Sequence, residues 1–256
     1  MVDNLKYKGF LSARSLLKVL HEKNIAIARD QNPLSKLPGN ALIFKYISES
    51  MRRLDVQFHF VYFDFDNFKP YNDTYGFRQG DRVILLFADA IRNQGQKSLL
   101  FGGHIGGDDF FLGAESLELS KTFSKVLKMC RKFQNDVESF YDAKAIKDGC
   151  IGAKDRNGNF TCFPLMTVSA VILEIPAGRS IVYSPEEIGT KMANMKKTAK
   201  NDRDKVCVVR IDDTGELVTI PNNEFIQGMA RISEQQNSFA GINGQLQMQS
   251  ACNGEL

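Results

Sequence analysis

Gly102-Gly103-His104-Ile105-Gly106-Gly107-Asp108-Asp109-Phe110-Phe111-Leu112-Gly113 is the stretch on which the fold turns. Apolar, strand-forming residues stand on both sides of two glycines and two aspartates. Glycine supplies the positive φ that a tight reversal needs, so the spacing predicts a β-hairpin with carboxylates at its turn. The earlier run Val61-Tyr62-Phe63-Asp64-Phe65-Asp66 places a second acid set on an aromatic strand predicted over Val56 to Asp64, with Asp64 at its exit. Carboxylates at a strand end and in a neighbouring turn can converge on a hard divalent cation. Mg²⁺ takes one or two such groups and leaves positions for substrate phosphates, which suits a nucleoside triphosphate site.

Outward from this pair, helical and extended patterns alternate. Apolar residues recur at helical period from Phe10 to Arg29, predicting an amphipathic leading helix. The turn-rich Gln31 to Asn40 separates it from a second helix over Ala41 to Arg52. Asn67 to Gly76 suits a short helix and loop, and Gly80-Asp81 opens a helix from Arg82 to Asn93. A long helix is predicted from Leu117 to Tyr141. Asn157-Gly158 marks a hairpin turn before a buried strand, Phe163 to Leu173. Ser184-Pro185-Glu186-Glu187 carries the marks of a helix start, and Lys205 to Ile211 reads as a last strand. From Asp212 onward the composition turns polar. Residues 213–256 are expected to be a flexible tail, with a short helix near Asn223 to Ile232.

Composition narrows the class. The 256 residues are 43% hydrophobic and 25% charged, enough for one large domain with appendages. A net charge of +3 is too mild to argue for a nucleic-acid surface. No apolar run approaches the roughly 18 residues of a membrane helix, so no membrane segment is expected. Five scattered cysteines without CxxC spacing suggest neither a disulfide framework nor a zinc site, and fit a reducing, cytoplasmic setting.

Three motifs in order resemble those of the GGDEF domains, the family that includes diguanylate cyclases, which join two GTP molecules into cyclic di-GMP. Leu34-Ser35-Lys36-Leu37-Pro38-Gly39-Asn40 is similar to the family's opening signature. Phe63 to Asp73, continued through Gly80-Asp81, resembles its nucleotide segment, and Gly106-Gly107-Asp108-Asp109-Phe110 is similar to the signature itself. The resemblance covers about Pro33 to Ile211. It implies an α+β fold of nucleotide-cyclase type: a palm-like, ferredoxin-like antiparallel central sheet with surrounding helices. It divides the chain into a leading segment 1–32, a GGDEF domain 33–212 and the tail.

The resemblance also implies roles. Asp64, Asp108 and Asp109 would be the catalytic carboxylates, with Asp64, Asp108 and the Phe65 carbonyl holding Mg²⁺ or Mn²⁺. The segment Phe65, Asn67, Phe68, Lys69 would meet the triphosphate, Asn72 and Asp81 would read guanine, and Lys200 would neutralise terminal phosphate. Each domain of the family presents one GTP, so a homodimer is implied for catalysis. The stretch Tyr7 to Ser12 resembles the end of a CBS-type unit, as in proteins where EAL and CBS domains precede a GGDEF domain.

Several positions depart from the family pattern. Asp109 replaces the usual glutamate and shortens that carboxylate's reach by one methylene. His104 stands where an arginine commonly precedes the signature. Asn201-Asp202-Arg203-Asp204 shifts or removes the phosphate-contacting arginine, and Lys97-Ser98-Leu99-Leu100 occupies the place of the product-inhibition RxxD motif. Structural readings stand beside the functional ones. The acids Asp64, Asp66, Asp73, Asp108 and Asp109 could be solvated or turn residues, and His104 a packed or surface residue. Lys196, Lys197 and Lys200 could form a solvated helix face, and Asn72 or Asp81 could cap a helix. Two functions stay open: a Mg²⁺-dependent diguanylate cyclase, and a catalytically weak or inactive GTP-binding module that controls a phosphodiesterase or other partner. A third, the polymerase-like palm of CRISPR-associated effectors, fits the GGDD turn but not the Asp64 to Asp81 segment.

Overall fold

A computed structural model describes residues 12–95, 100–154, 158–212 and 214–227, with the backbone of 2–3 and 6–7. Two short strands, β1 (Val2–Asp3) and β2 (Lys6–Tyr7), pair antiparallel ahead of helices α1 (Ala13–Asp30) and α2 (Asn40–Arg52). Then come β3 (Phe58–Asp66), α3 (Phe68–Tyr75), α4 (Phe77–Gly95), the hairpin β4 (Leu100–Gly106) with β5 (Asp109–Glu115), and α5 (Leu119–Val137). A 3₁₀ turn (Glu138–Phe140) and α6 (Ala143–Asp148) lead into a second hairpin, β6 (Cys150–Lys154) with β7 (Phe160–Pro164). The chain continues through β8 (Thr167–Ile175), α7 (Pro185–Asn194), α8 (Lys196–Asn201), β9 (Val206–Ile211) and β10 (Leu217–Ile220).

Six strands form one sheet in the order β10-β9-β8-β3-β5-β4, antiparallel throughout except for the β8–β9 pair. This is the expected α+β palm. Period-two alternation gives β3 two apolar faces because helices cover both sides of the sheet. Val61, Phe63 and Phe65 enter a core with Phe87 and Ile91 of α4 and Phe123 and Phe133 of α5. Phe58 and Phe60 enter a second core with Ile43 and Ile47 of α2 and Ile188 and Met192 of α7. Tyr62, Asp64 and Asp66 share the parity of that second set. The strand therefore delivers its acids to the face where α8 packs.

The structure moves several predicted boundaries. The strand after Val56 spans Phe58–Asp66, so Asp64 lies inside it, paired with Asp109 on one side and Ser169 on the other. Helix α4 starts at Phe77, which puts Asp81 within the helix and not at its cap. The long helix ends at Val137, and α6 follows it where Asp142 caps the Lys144 and Ala145 amides. The predicted strand Phe163–Leu173 is split at Leu165-Met166 between β7 and β8, since Pro164 cannot donate to a ladder. The Asn157 turn lies outside the described residues, although the strands on either side of it do pair. The predicted start at Ser184 is a capping box with Glu187.

Two corrections bear on the chain's edges. Leu217–Ile220, read from sequence as part of a flexible tail, adds the sixth strand to the sheet, and Phe225 stacks on Phe123 at 4.8 Å. Four residues are too short for a periodicity signal. Cys150 and Cys162 form a disulfide across the β6–β7 hairpin, where the cysteine spacing suggested no bridge. Among the described residues no helix is long and apolar enough to cross a membrane.

Candidate active site

The turn between β4 and β5 is built as the glycines foretold. Gly106 and Gly107 both take positive φ, 154° and 57°, a cost that side-chain-bearing residues rarely meet. His104 holds this turn from behind. It is buried, stacked on Phe110 with ring centroids 4.2 Å apart, and bonded through Nδ1 to Ser35 Oγ at 2.8 Å and through Nε2 to the Gly107 carbonyl at 3.0 Å. Burial lowers its pKa, against the raising influence of the Gly107 carbonyl and Asp109. The packed reading of His104 is the one the structure bears out. Ser35 belongs to the opening motif, and Pro38 adds a carbonyl that accepts from the His104 amide at 2.8 Å. The first motif thus buttresses the third.

Asp64 and Asp109 are directly opposed on β3 and β5. Like charges in that register repel unless something bridges them. Lys196, at the start of α8, does so, with Nζ 3.1 Å from Asp64 and 3.2 Å from Asp109 and 4.2 Å from the centre of the Tyr62 ring. Lys200, one helical turn on, is in ion-pair contact with Asp64 and lies 3.5 Å from Asp66. Lys196 was read from sequence as part of a solvated face. The structure corrects this, because i, i+4 spacing on α8 turns both ammonium groups onto the carboxylates.

These pairings set the electrostatics. Burial alone would raise Asp64, but its bonds to Lys200 and Lys196 prevail and its pKa is lowered. Asp108 has no such partner. Burial, with Asp109 and Asp64 nearby, raises its pKa above the usual carboxylate range despite Lys200. Lys200 is raised in turn, since Asp64 and Asp66 outweigh its own desolvation. Asp66 is neither a solvated acid nor a cavity residue. It is buried and accepts hydroxyl bonds from Thr167 and Ser169, each at 2.7 Å, with Lys205 at 3.8 Å.

A cavity of about 580 Å³ opens over this floor. It is lined by Asp64, Phe65, Asn67, Phe68, Lys69, Pro70, Asp73, Asp108 and Lys200, which are separated widely in sequence but converge here. Lys154 and Phe163 of the β6–β7 hairpin complete the lining. Asn67 adopts the left-handed region, φ 62°, at the N-cap of α3. Such a left-handed residue ahead of a helix turns successive amides toward one point and forms an anion-binding nest. Phe65 turns its side chain into the core, packing on Phe68, Phe87, Phe110 and Phe133, so only its backbone is left to serve a ligand.

Three predicted site residues do not line this cavity. Asp109 is committed to Lys196. Asp81 is exposed on α4. Asn72 packs its amide against Gly80, where an added Cβ would lie 1.9 Å from Oδ1, and that buried oxygen has no hydrogen-bond partner. Lys154, Phe163 and Lys196 were missed in the sequence reading. An Asn-Gly hairpin between two strands signals that a loop exists but not what it leans over.

The residues present fit a divalent ion. Asp64 and Asp66 turn buried Oδ1 atoms toward one ammonium, that of Lys200, so a cation already stands there, and Asp108 is a half-buried carboxyl on the same cavity without an ion pair among the described residues. No group of three or more metal-ligating side chains converges among the described residues. Two carboxylates, a backbone carbonyl and substrate phosphates are a donor set typical of Mg²⁺.

Residues 29–151 match the family model described as diguanylate cyclase, GGDEF domain. The chain is 24% identical over 147 residues to diguanylate cyclase DgcP of Escherichia coli, covering 54% of this chain and 43% of that protein. It is 29% identical over 135 residues to the bifunctional diguanylate cyclase/cyclic di-GMP phosphodiesterase MucR of Pseudomonas aeruginosa, covering 51% of this chain and 19% of MucR. The chain therefore spans less than half the length of either relative. Among solved structures, the coiled coil and GGDEF domain of DgcB from Caulobacter crescentus, in complex with c-di-GMP, superposes with a TM-score of 0.54 at 20% identity, over 77% of this chain and 96% of that one. Diguanylate cyclase SiaD from Pseudomonas aeruginosa, in complex with its activator SiaC, gives 0.52 at 18% identity, over 77% and 68%. The palm sheet, the glycine turn that carries Asp108 and the matched segment agree: the chain carries a GGDEF domain.

Proposed function

We propose that residues 33–212 form a diguanylate cyclase unit that condenses two GTP into cyclic di-GMP with release of pyrophosphate. One observation carries this reading. A single cavity brings together Asp64, Asp108, the left-handed Asn67 corner and Lys200, the set needed to bind a metal-bound triphosphate. Asp64, Asp108 and the Phe65 carbonyl would hold Mg²⁺ or Mn²⁺, which when bound supplies Lewis-acid stabilisation of the attacking and leaving oxygens. The amides around Asn67 and Phe68, with Lys69, orient the phosphates. Lys200 offsets their charge once it is released from Asp64. Asp108, raised in pKa, is suited to accept a proton from the ribose 3′ hydroxyl. Asn72 and Asp81 would read guanine, which requires the Asn72 amide, packed against Gly80, to turn outward.

One domain presents one nucleotide, so the reaction requires two copies facing each other. The matched relatives are longer than this chain, and an upstream EAL or CBS unit fits a control role for residues 1–32. GTP as substrate places the domain in the cytoplasm, where the Cys150–Cys162 bridge would be exposed to reduction.

A second reading is a GTP-binding regulatory module of low activity. Asp109 is tied to Lys196, and Arg203, the nearest arginine to the end of α8, lines a separate cleft with Cys130 and Arg131. Incubation of the purified chain with GTP and Mg²⁺ or Mn²⁺, with Asp108→Ala as control, separates the two. Cyclic di-GMP and pyrophosphate formed by the parent alone support the cyclase. GTP binding without product in a dimeric sample assigns the module.

A further inference from the structure

We propose that Lys154, carried by the β6–β7 hairpin, is a phosphate-contacting residue of this nucleotide site; the inference rests on the GTP-binding reading above. Three lysines and three aspartates line the cavity, so their formal charges cancel. A triphosphate needs cationic partners beyond that balance. Lys69 is paired with Asp73 at 3.5 Å and Lys200 with Asp64. The ammonium of Lys154, alone of the three, has no ion pair or hydrogen bond among the described residues.

The hairpin is built to hold that lysine over the cavity. Ile151 and Ala153 are buried on one face of β6, so alternation sends Gly152 and Lys154 to the other. Phe163 on β7 packs against the main core and also borders the cavity. Asn67, which lines the cavity at the left-handed corner ahead of α3, donates its side-chain amide to the Pro164 carbonyl at 3.1 Å. The hairpin is thereby tied to the corner that would receive the phosphates. The Cys150–Cys162 bridge fixes its two strands together.

Titration calorimetry on the full chain with Mg²⁺ tests this, using a GTP analogue whose α–β bridge is a methylene, and guanosine for comparison. Lys154→Gln is expected to weaken the analogue about 10-fold, the scale of a charge-assisted bond, while guanosine binding is unchanged. Lys154→Arg is expected to stay within about 3-fold of the parent, since the charge is kept. Parent-like affinity of Lys154→Gln for the analogue, or an equal loss for guanosine, would overturn the assignment. If the parent itself binds neither ligand, the nucleotide reading fails and takes the assignment with it.

Discussion

Asp64 and Asp109 face each other across β3 and β5, and a single ammonium, Lys196, stands within 3.2 Å of both. Removing it leaves two part-buried carboxylates in register with no bridge. Lys196→Met is expected to destabilise the domain by about 2–4 kcal/mol, because an uncompensated buried charge costs more than the pair contributes. Adding Asp109→Asn should recover part of the loss. Urea unfolding of the two single variants and the double closes that cycle, and strict additivity would show that the two groups are not coupled.

On the proposed cyclase reading, Lys200 and a divalent ion would compete for one carboxylate. In Lys200→Gln, Asp64 keeps only Lys196, so Mg²⁺ should raise the melting temperature more than in the parent, where the ion must displace a second lysine as well. Thermal melts with and without millimolar Mg²⁺ check this. An equal Mg²⁺ shift in both proteins would mean that the ion does not engage Asp64.

Asp66 stands in the same motif as Asp64 and could from sequence be a solvated acid, but its bonds to Thr167 and Ser169 give it a structural task. Asp66→Ala should cost about 2–4 kcal/mol, since two hydroxyls and part of the Lys200 charge lose their acceptor. Asp66→Asn keeps an acceptor and should cost less. Chemical denaturation reads the order, and a larger loss in the asparagine variant would contradict it.

At the far end of the sheet His59 is fully buried, with Nδ1 bonded to Thr122 Oγ1 at 2.7 Å and Nε2 to Gln57 at 2.9 Å, beside the Glu174–Arg210 pair. Burial, with Arg210 adding, pushes its pKa down to about 4 from an ordinary 6.5. The folded state keeps the ring neutral while the unfolded chain protonates. The stabilisation is therefore full above pH 6.5 and is lost as pH falls toward about 4, by on the order of 3 kcal/mol. Unfolding free energies across that window should show this slope, and His59→Asn should flatten it.

Reduction of Cys150–Cys162 releases a hairpin whose closed loop spans 12 residues in sequence. The loop-entropy scale is about 2–3 kcal/mol, confined here to β6 and β7. Hydrogen exchange in the presence of dithiothreitol should accelerate at Gly152 and Thr161 and leave β3 protected. Unchanged exchange at the hairpin would show that its backbone pairing does not depend on the bridge.

The residues that act near their own place in the chain were legible. Gly106-Gly107 needed its turn, the aromatic run around Asp64 needed two covered faces, and Ser184 needed its cap. The contacts that join distant segments were not. Nothing near Lys196 says that α8 will lie over β3, more than a hundred residues earlier, because its i, i+4 lysines suit a solvated face equally well. Lys154 sits on a short strand whose alternation is visible but whose partner surface is set by Asn67 and Pro164. Asp66 shows the opposite failure. Its place in an ordered motif suggested chemistry, while the hydroxyls that occupy it come from β8.

On the proposed reading, the lysines of α8 would make nucleotide arrival an exchange rather than an addition. Lys196 and Lys200 are already seated on Asp64, Asp66 and Asp109, while Asp108 has no lysine partner among the described residues. Every affinity measured for a metal or a triphosphate would then be a difference between two occupied states, the internal ammonium going out as the ligand comes in.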